Sequence, residues 1–272
     1  MDLLRRELAP ISPKGWAEID AMARETLVAN LSARKFVDLD GPHGIAHACV
    51  PLGRLQTAKG AKVEDVSYGV HQVLPLVEAR TSFILKQWEL DNLERGAKDI
   101  ELASLVDAAR KMARFEESVV YQGFDPGCIQ GLQSQVKAPR IPVPLDIDAI
   151  VDAVSEGQAR LLREGVEGGC HLVVNPELWT FLARSTPGGT LRSILETQIG
   201  GQVIYSAAVN GALLVATRGG DLELTVGQDF AIGYHHHSSE EVGLFMTESF
   251  TFRVIAPEAM VGFDVKGRKA KS

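Results

Sequence analysis

Residues 46 to 85 constrain what this chain can fold into more than any other stretch. Strand-like segments flank a polar turn, Ala58-Lys59-Gly60-Ala61-Lys62, and Val63, Val66, Tyr68, Val70 and Val73 follow it. The pattern predicts a long hairpin arm. A two-stranded ribbon is marginal alone in water, and this one carries too little apolar surface to form its own core. It therefore needs something else to pack on, a neighbouring subunit above all. With 272 residues, 45 % of them hydrophobic, the rest of the chain can build one large domain or two modest ones without disulfides.

Around the arm, helical and strand patterns are segregated. Ser12-Pro13 reads as an N-cap followed by proline at the first helical position, and Trp16, Ile19, Ala23, Leu27 and Leu31 recur at helical spacing. A longer stripe runs from Leu102 through Leu105, Val106, Ala109, Met112, Ala113, Val119 and Val120 and stops near Gly123, predicting a central helix. A third begins after Pro142 and Pro144, with Asp146 and Asp148 where the helix dipole favours negative charge. The last third reads as strands: Gln202–Tyr205, Ala212–Thr217, Leu222–Val226, Phe230–Tyr234 and Glu248–Val254, with a turn at Arg218-Gly219-Gly220-Asp221. This is an α+β pattern.

Charge and motif content exclude several functions. A net charge of −7 has the wrong sign for a chain whose main partner is nucleic acid, although Lys266, Arg268, Lys269 and Lys271 make a basic tail. Cys49, Cys128 and Cys170 are too few and too scattered for a disulfide framework or a thiolate zinc site, and suit a reducing cytoplasm. The opening Met1-Asp2-Leu3-Leu4-Arg5-Arg6-Glu7 breaks with charge before a signal core can form, and no apolar run approaches the roughly 18 residues of a membrane span. No membrane partner is expected.

Catalytic signatures are missing too. Gly165-Val166-Glu167-Gly168-Gly169 precedes a strand-like Leu172–Val174 rather than a helix, so it fits no phosphate-binding fingerprint. There is no Gly-x-Ser-x-Gly elbow and no His-Glu-x-x-His helix. His235-His236-His237 reads as an exposed hairpin turn, since successive side chains of an extended segment point to opposite faces and cannot all meet one ion. His43 and His47, the pair Asp38 and Asp40, and Glu240-Glu241 read as loop residues or solvated charge. Trp88 reads as an aromatic packed on a neighbour. No catalytic residue, metal or cofactor is expected.

Four separated motifs, in order, resemble the encapsulin shell proteins of bacteria and archaea. They are Arg34-Lys35-Phe36-Val37-Asp38-Leu39-Asp40-Gly41-Pro42, Trp88-Glu89-Leu90-Asp91-Asn92-Leu93-Glu94-Arg95-Gly96, Gly227-Gln228-Asp229-Phe230-Ala231-Ile232-Gly233-Tyr234 and Thr247-Glu248-Ser249-Phe250-Thr251-Phe252-Arg253-Val254. The Met-Asp-Leu-Leu-Arg-Arg opening and Leu8-Ala9-Pro10 add to the likeness, which spans residues 1 to about 263. The resemblance implies the Hong Kong 97-type phage major capsid fold. Its peripheral domain would comprise residues 1–45, 86–135 and 222–263, its extended loop 46–85 and its axial domain 136–221, leaving 264–272 as the basic tail.

The resemblance further implies a closed icosahedral homo-oligomer in the cytoplasm, enclosing a cargo enzyme that a C-terminal loading peptide recruits. Cargo of this family is commonly a ferritin-like protein or a dye-decolorising peroxidase, which implies iron storage or oxidative-stress protection. Carried over by motif, the peptide groove would use Leu27, Leu31, Arg34 and Asp38 on one side and Asp229, Ile232 and Gly233 on the other. The five-fold pore loop would be Arg184-Ser185-Thr186-Pro187-Gly188-Gly189-Thr190, uncharged apart from Arg184. Two other readings compete: a phage or prophage major capsid protein, and a soluble metal-dependent enzyme.

Overall fold

The computed structural model describes residues 3–57 and 62–266. Turn residues 58–61 and the basic residues beyond 266 lie outside the described residues.

The first helix, Pro13–Asn30, starts where the cap signal places it: the Ser12 side chain accepts a hydrogen bond from the Gly15 N–H at 3.0 Å. The long helix, Ala103–Gln122, ends at Gly123, whose φ of 93° is open to glycine and strained for other residues. A third helix, Ile147–Arg163, follows the edge strand Ile141–Pro144, and the Asp146 carboxylate caps it at the Ala149 N–H. Prolines are admissible in that strand because an edge leaves N–H groups unneeded.

Two five-stranded sheets organise the rest. In the first, the 14-residue strand Glu241–Val254 is central. Val77–Lys86 pairs along one of its edges, while Ala231–His237 and then Leu222–Val226 pair along the other, with Asp38–Asp40 parallel outside the latter. The first and long helices cover this sheet, burying Ile19, Leu27, Leu105, Met112, Ile232, Leu244 and Met246 together. The second sheet runs Val203–Tyr205, Cys170–Val174, Ala212–Ala216, Met260–Lys266, Ile141–Pro144. A shared core, including Tyr121, Val173, Leu213, Leu224, Phe250 and Phe252, joins the two sheets.

Two boundaries differ from the sequence expectation. Val77–Lys86 does not belong to the arm; ten consecutive residues pair with the central strand, because their alternate side chains Phe83 and Leu85 reach the core. Met260–Lys266 leaves the first sheet altogether and fills the slot between Ala212–Ala216 and Ile141–Pro144 in the second. The arm itself is Cys49–Gln56 against Val70–Pro75, with Lys62–Val63 and Val66–Ser67 paired nearer its tip. Leu55, Val63, Val66, Tyr68, Val70 and Val73 on it are all exposed in the isolated chain.

The histidine triplet is also placed differently. His235, His236 and His237 are exposed but form the end of a strand, not the turn, because they continue the pairing of Ala231–His237 with Val242 and Gly243. A register shift falls at His235, whose ring packs on Phe245 at 4.6 Å.

Candidate functional site

A groove of about 670 Å³ opens between the first helix and the strand Ala231–His237. Leu27, Val28 and Leu31 form the helix wall, and Phe230, Ala231, Ile232 and Met246 the sheet side. The helix repeat puts Ala23, Leu27 and Leu31 on one stripe facing the sheet, and the cross-strand pair Ile232–Met246 meets them from below. Val28 is 61 % exposed, an apolar side chain left at the open side of the groove. Charged residues rim it: Arg6 paired with Asp20 at 2.7 Å, then Arg24, Lys35 and Asp229.

Beneath one end lies a buried ionic knot. The Arg34 guanidinium donates to Glu116 from Nε and Nη2, to Asp229 from Nη1 at 2.9 Å and to Glu248 from Nη2. It also lies over the Phe230 ring, 4.8 Å from its centre. One residue thereby ties the long helix, the central strand and the segment before Ala231 to the end of the first helix. The side chains of Glu116 and Glu248 are wholly buried. One cation cannot neutralise three ionised carboxyl groups. Burial, followed by the charge of Glu116 and a hydrogen bond to it, holds the Glu248 carboxyl well above the usual carboxylate range, so it keeps a proton. Burial tends to lower the Arg34 pKa, but its hydrogen bonds to Glu116 and the surrounding negative charge raise it overall.

Next to it, Glu117 accepts from the Ala33 N–H at 2.8 Å and from the Ser32 hydroxyl, which also lies 2.9 Å from the Tyr121 hydroxyl. Burial raises the Glu117 pKa, and these two donors oppose that rise. Adjacent glutamates of the long helix thus grip residues 32 to 34 from two sides. Sequence reasoning missed Glu116, Glu117 and Glu248. The available signal was the one ionisable residue in the strand segment Leu244 to Phe252, and two more within the long helix's apolar stripe.

Of the seven residues carried over for the groove, five line it: Leu27, Leu31, Arg34, Asp229 and Ile232. Asp38 is elsewhere. It pairs with Glu223 in the short strand, and its carboxylate accepts from the Gly220 N–H at 2.7 Å, fastening the Arg218–Asp221 turn. Gly233 serves the other face of the strand: a Cβ there would stand 2.2 Å from the Phe245 ring. Arg34 has its donors committed within the chain, whereas Asp229, with its side chain 42 % exposed, and the exposed Arg24 and Lys35 are open to a ligand.

The segment carried over for the pore is an exposed hairpin. Ser185 and Thr186 pair with Thr190 and Gly189, Pro187-Gly188 forms the tip, and Thr190 caps the helix Leu191–Ile199 at the Ser193 N–H. Arg184 folds back over the Phe181 ring at 4.0 Å, leaving the tip uncharged. Trp88, expected to be packed, is 65 % exposed, with the Arg95 guanidinium 5.3 Å from its ring. Among the described residues no group of three or more His, Cys, Asp or Glu could hold a metal ion. Among them, too, no helix is long and apolar enough to cross a membrane.

The family model described as an encapsulating protein for peroxidase matches residues 1–251. A type 1 encapsulin shell protein of Rhodospirillum rubrum is 39 % identical over an alignment covering 96 % of each chain. The virus-like particle from Pyrococcus furiosus shares the fold at a TM-score of 0.61 and 18 % identity, covering 90 % of this chain and 97 % of that one. The capsid subunit of the Myoviridae phage XM1 does so at 0.55 and 11 %, covering 85 % and 90 %. The architecture is therefore that of phage major capsid proteins, and the full-length match to shell proteins at this identity decides the family: the chain belongs to the type 1 encapsulins.

Proposed function

We propose that copies of this chain assemble into a closed icosahedral shell in the cytoplasm, where it encloses a cargo enzyme held by that enzyme's C-terminal loading peptide. The groove carries this reading. Five residues named from the sequence meet in one apolar channel, with Val28 left open to solvent beside them. Each aliphatic side chain that a peptide buries there is worth about 1.5–3 kcal/mol before ordering costs, so one peptide binds modestly. An oligomeric cargo presenting several peptides gains by effective concentration. The family description names a peroxidase, which supports a peroxidase cargo; we read it as one of the dye-decolorising type, protecting against oxidative stress. A ferritin-like protein inside would assign iron storage instead.

The exposed arm supports self-assembly. Its apolar side chains have no core in the single chain, and a sibling subunit supplies one. In this reading 136–221 is the axial domain, and its 184–190 hairpin lines a pore that passes small substrates with little charge selection. Negative-stain imaging of purified protein tests the shell: uniform closed particles are expected, and monomers or dimers at high concentration would overturn it. Val28→Asp tests the groove. Shells should form but lose their contents by mass spectrometry; normal packaging would refute the assigned groove. At the pore, bulky residues at Thr186 and Gly188 should slow turnover by encapsulated enzyme, and unchanged kinetics would remove the pore assignment.

A further inference from the structure

The strand Ala231–His237 has an unfinished edge inside the groove. Backbone groups of a strand face its two neighbours alternately, so one known bond fixes the direction of all the others. The Tyr234 N–H donates to the Leu4 carbonyl at 2.7 Å, away from the central strand. The opposite edge agrees. The Ser249 N–H donates to the Gln228 carbonyl, so Thr247 and Phe245, two and four residues before it, face this strand and pair with Ala231 and Gly233. Ile232, like Tyr234, must therefore aim its N–H and C=O outward.

Nothing among the described residues takes those two groups. On one side Leu4 occupies the edge, and the chain turns away at Arg5 with a left-handed φ of 49°. On the other side the Phe230 N–H is satisfied by its own neighbour, the Asp229 carboxylate, at 2.8 Å. Between these two satisfied N–H groups the edge is open at Ile232. This edge fronts the groove that Ile232 lines, and unpaired backbone groups on a strand edge are a template for another strand.

We infer that the groove takes its peptide as an added strand on this edge, pairing with Ile232 between Leu4 and Asp229. The inference rests on the peptide reading above and deepens it to a chemistry of recognition. A strand laid about 4.8 Å from Ala231–His237 runs beneath the first helix, and every second side chain turns toward Leu27, Val28 and Leu31. The ligand is therefore an extended segment with apolar residues at alternate positions. The residue opposite Ile232 is not proline, because that residue must supply an N–H.

The probe is the synthetic C-terminal peptide of the protein found inside purified shells, fluorescently labelled and retained by shells reassembled in its presence. Each amide of it is N-methylated in turn. The amide opposite Ile232 should prove sensitive, lowering retention affinity about tenfold or more, while its two immediate neighbours, whose N–H groups point away from this edge, stay within about twofold. An ester at the same position, which removes the N–H without adding bulk, should reproduce the loss. Equal retention across both series, with Val28→Asp still abolishing it, would overturn the pairing and leave the groove standing. Retention insensitive to Val28→Asp would remove the groove, and the pairing with it.

Discussion

The arm and the Arg34 knot are opposite solutions to the same shortage. Between Cys49 and Pro75 the chain leaves Leu55, Val63, Val66, Tyr68, Val70 and Val73 in water, with two paired strands and no core beneath them. Around Arg34 it buries Glu116 and Glu248 completely and ties both to one guanidinium, leaving the second oxygen of Glu248 without a hydrogen-bond partner among the described residues. The arm leaves its apolar side chains without a core in the chain, whereas the knot draws its ion pairs from within it. Substitutions should therefore separate the two properties, assembly and folding, according to where they fall.

The largest effect is expected on the arm, and only on assembly. Val66→Asp combined with Val70→Asp should abolish closed particles in sedimentation, while the subunit's own unfolding free energy moves by no more than about 0.5 kcal/mol. Particles at wild-type yield would erase the contrast. In the knot the expectation is reversed. Arg34→Met strands buried carboxylates and should cost about 3–5 kcal/mol in denaturant titration of dissociated subunits, a value near zero contradicting the described bonding.

Glu248→Gln sharpens the knot further, through pH. The native carboxyl holds a proton that the unfolded chain has lost at any pH between the ordinary 4.5 and its raised native value. Proton binding in that window is greater in the folded state, so stability falls as pH rises through it, by up to about 1.4 kcal/mol per pH unit for one such group. Glu117, raised also, contributes the same sign. The glutamine variant should show a flatter profile of stability against pH, and an unchanged slope would place the proton elsewhere. The smallest effect is at the groove's wall: Ser12→Ala removes the helix cap and should cost about 1 kcal/mol by thermal denaturation.

Local signals in the sequence located what local physics decides. Ser12, Asp146 and Gly123 mark helix ends because each acts within one turn of itself. Leu27, Leu31 and Ile232 were legible as groove residues only through motif likeness, since a stripe facing a core and a stripe facing a ligand share one periodicity. Long-range partners were not legible. Asp38 stands four residues past Arg34, yet strand pairing with Leu222–Val226 carries it to the Gly220 turn. The knot joins residues up to 214 positions apart, and no spacing rule connects Arg34 to Glu248.

The placement of Met260–Lys266 bears on how a cell makes this molecule. That strand is a seam in the second sheet, between Ala212–Ala216 and Ile141–Pro144, and every other strand of the described chain is translated before it. A nascent polypeptide has no seam until residue 266 clears the ribosome, and until then Ile141–Pro144 has no backbone partner. Subunits thus complete the second sheet only when translation has passed that point, so the last strand made closes the structure that the earlier ones leave open.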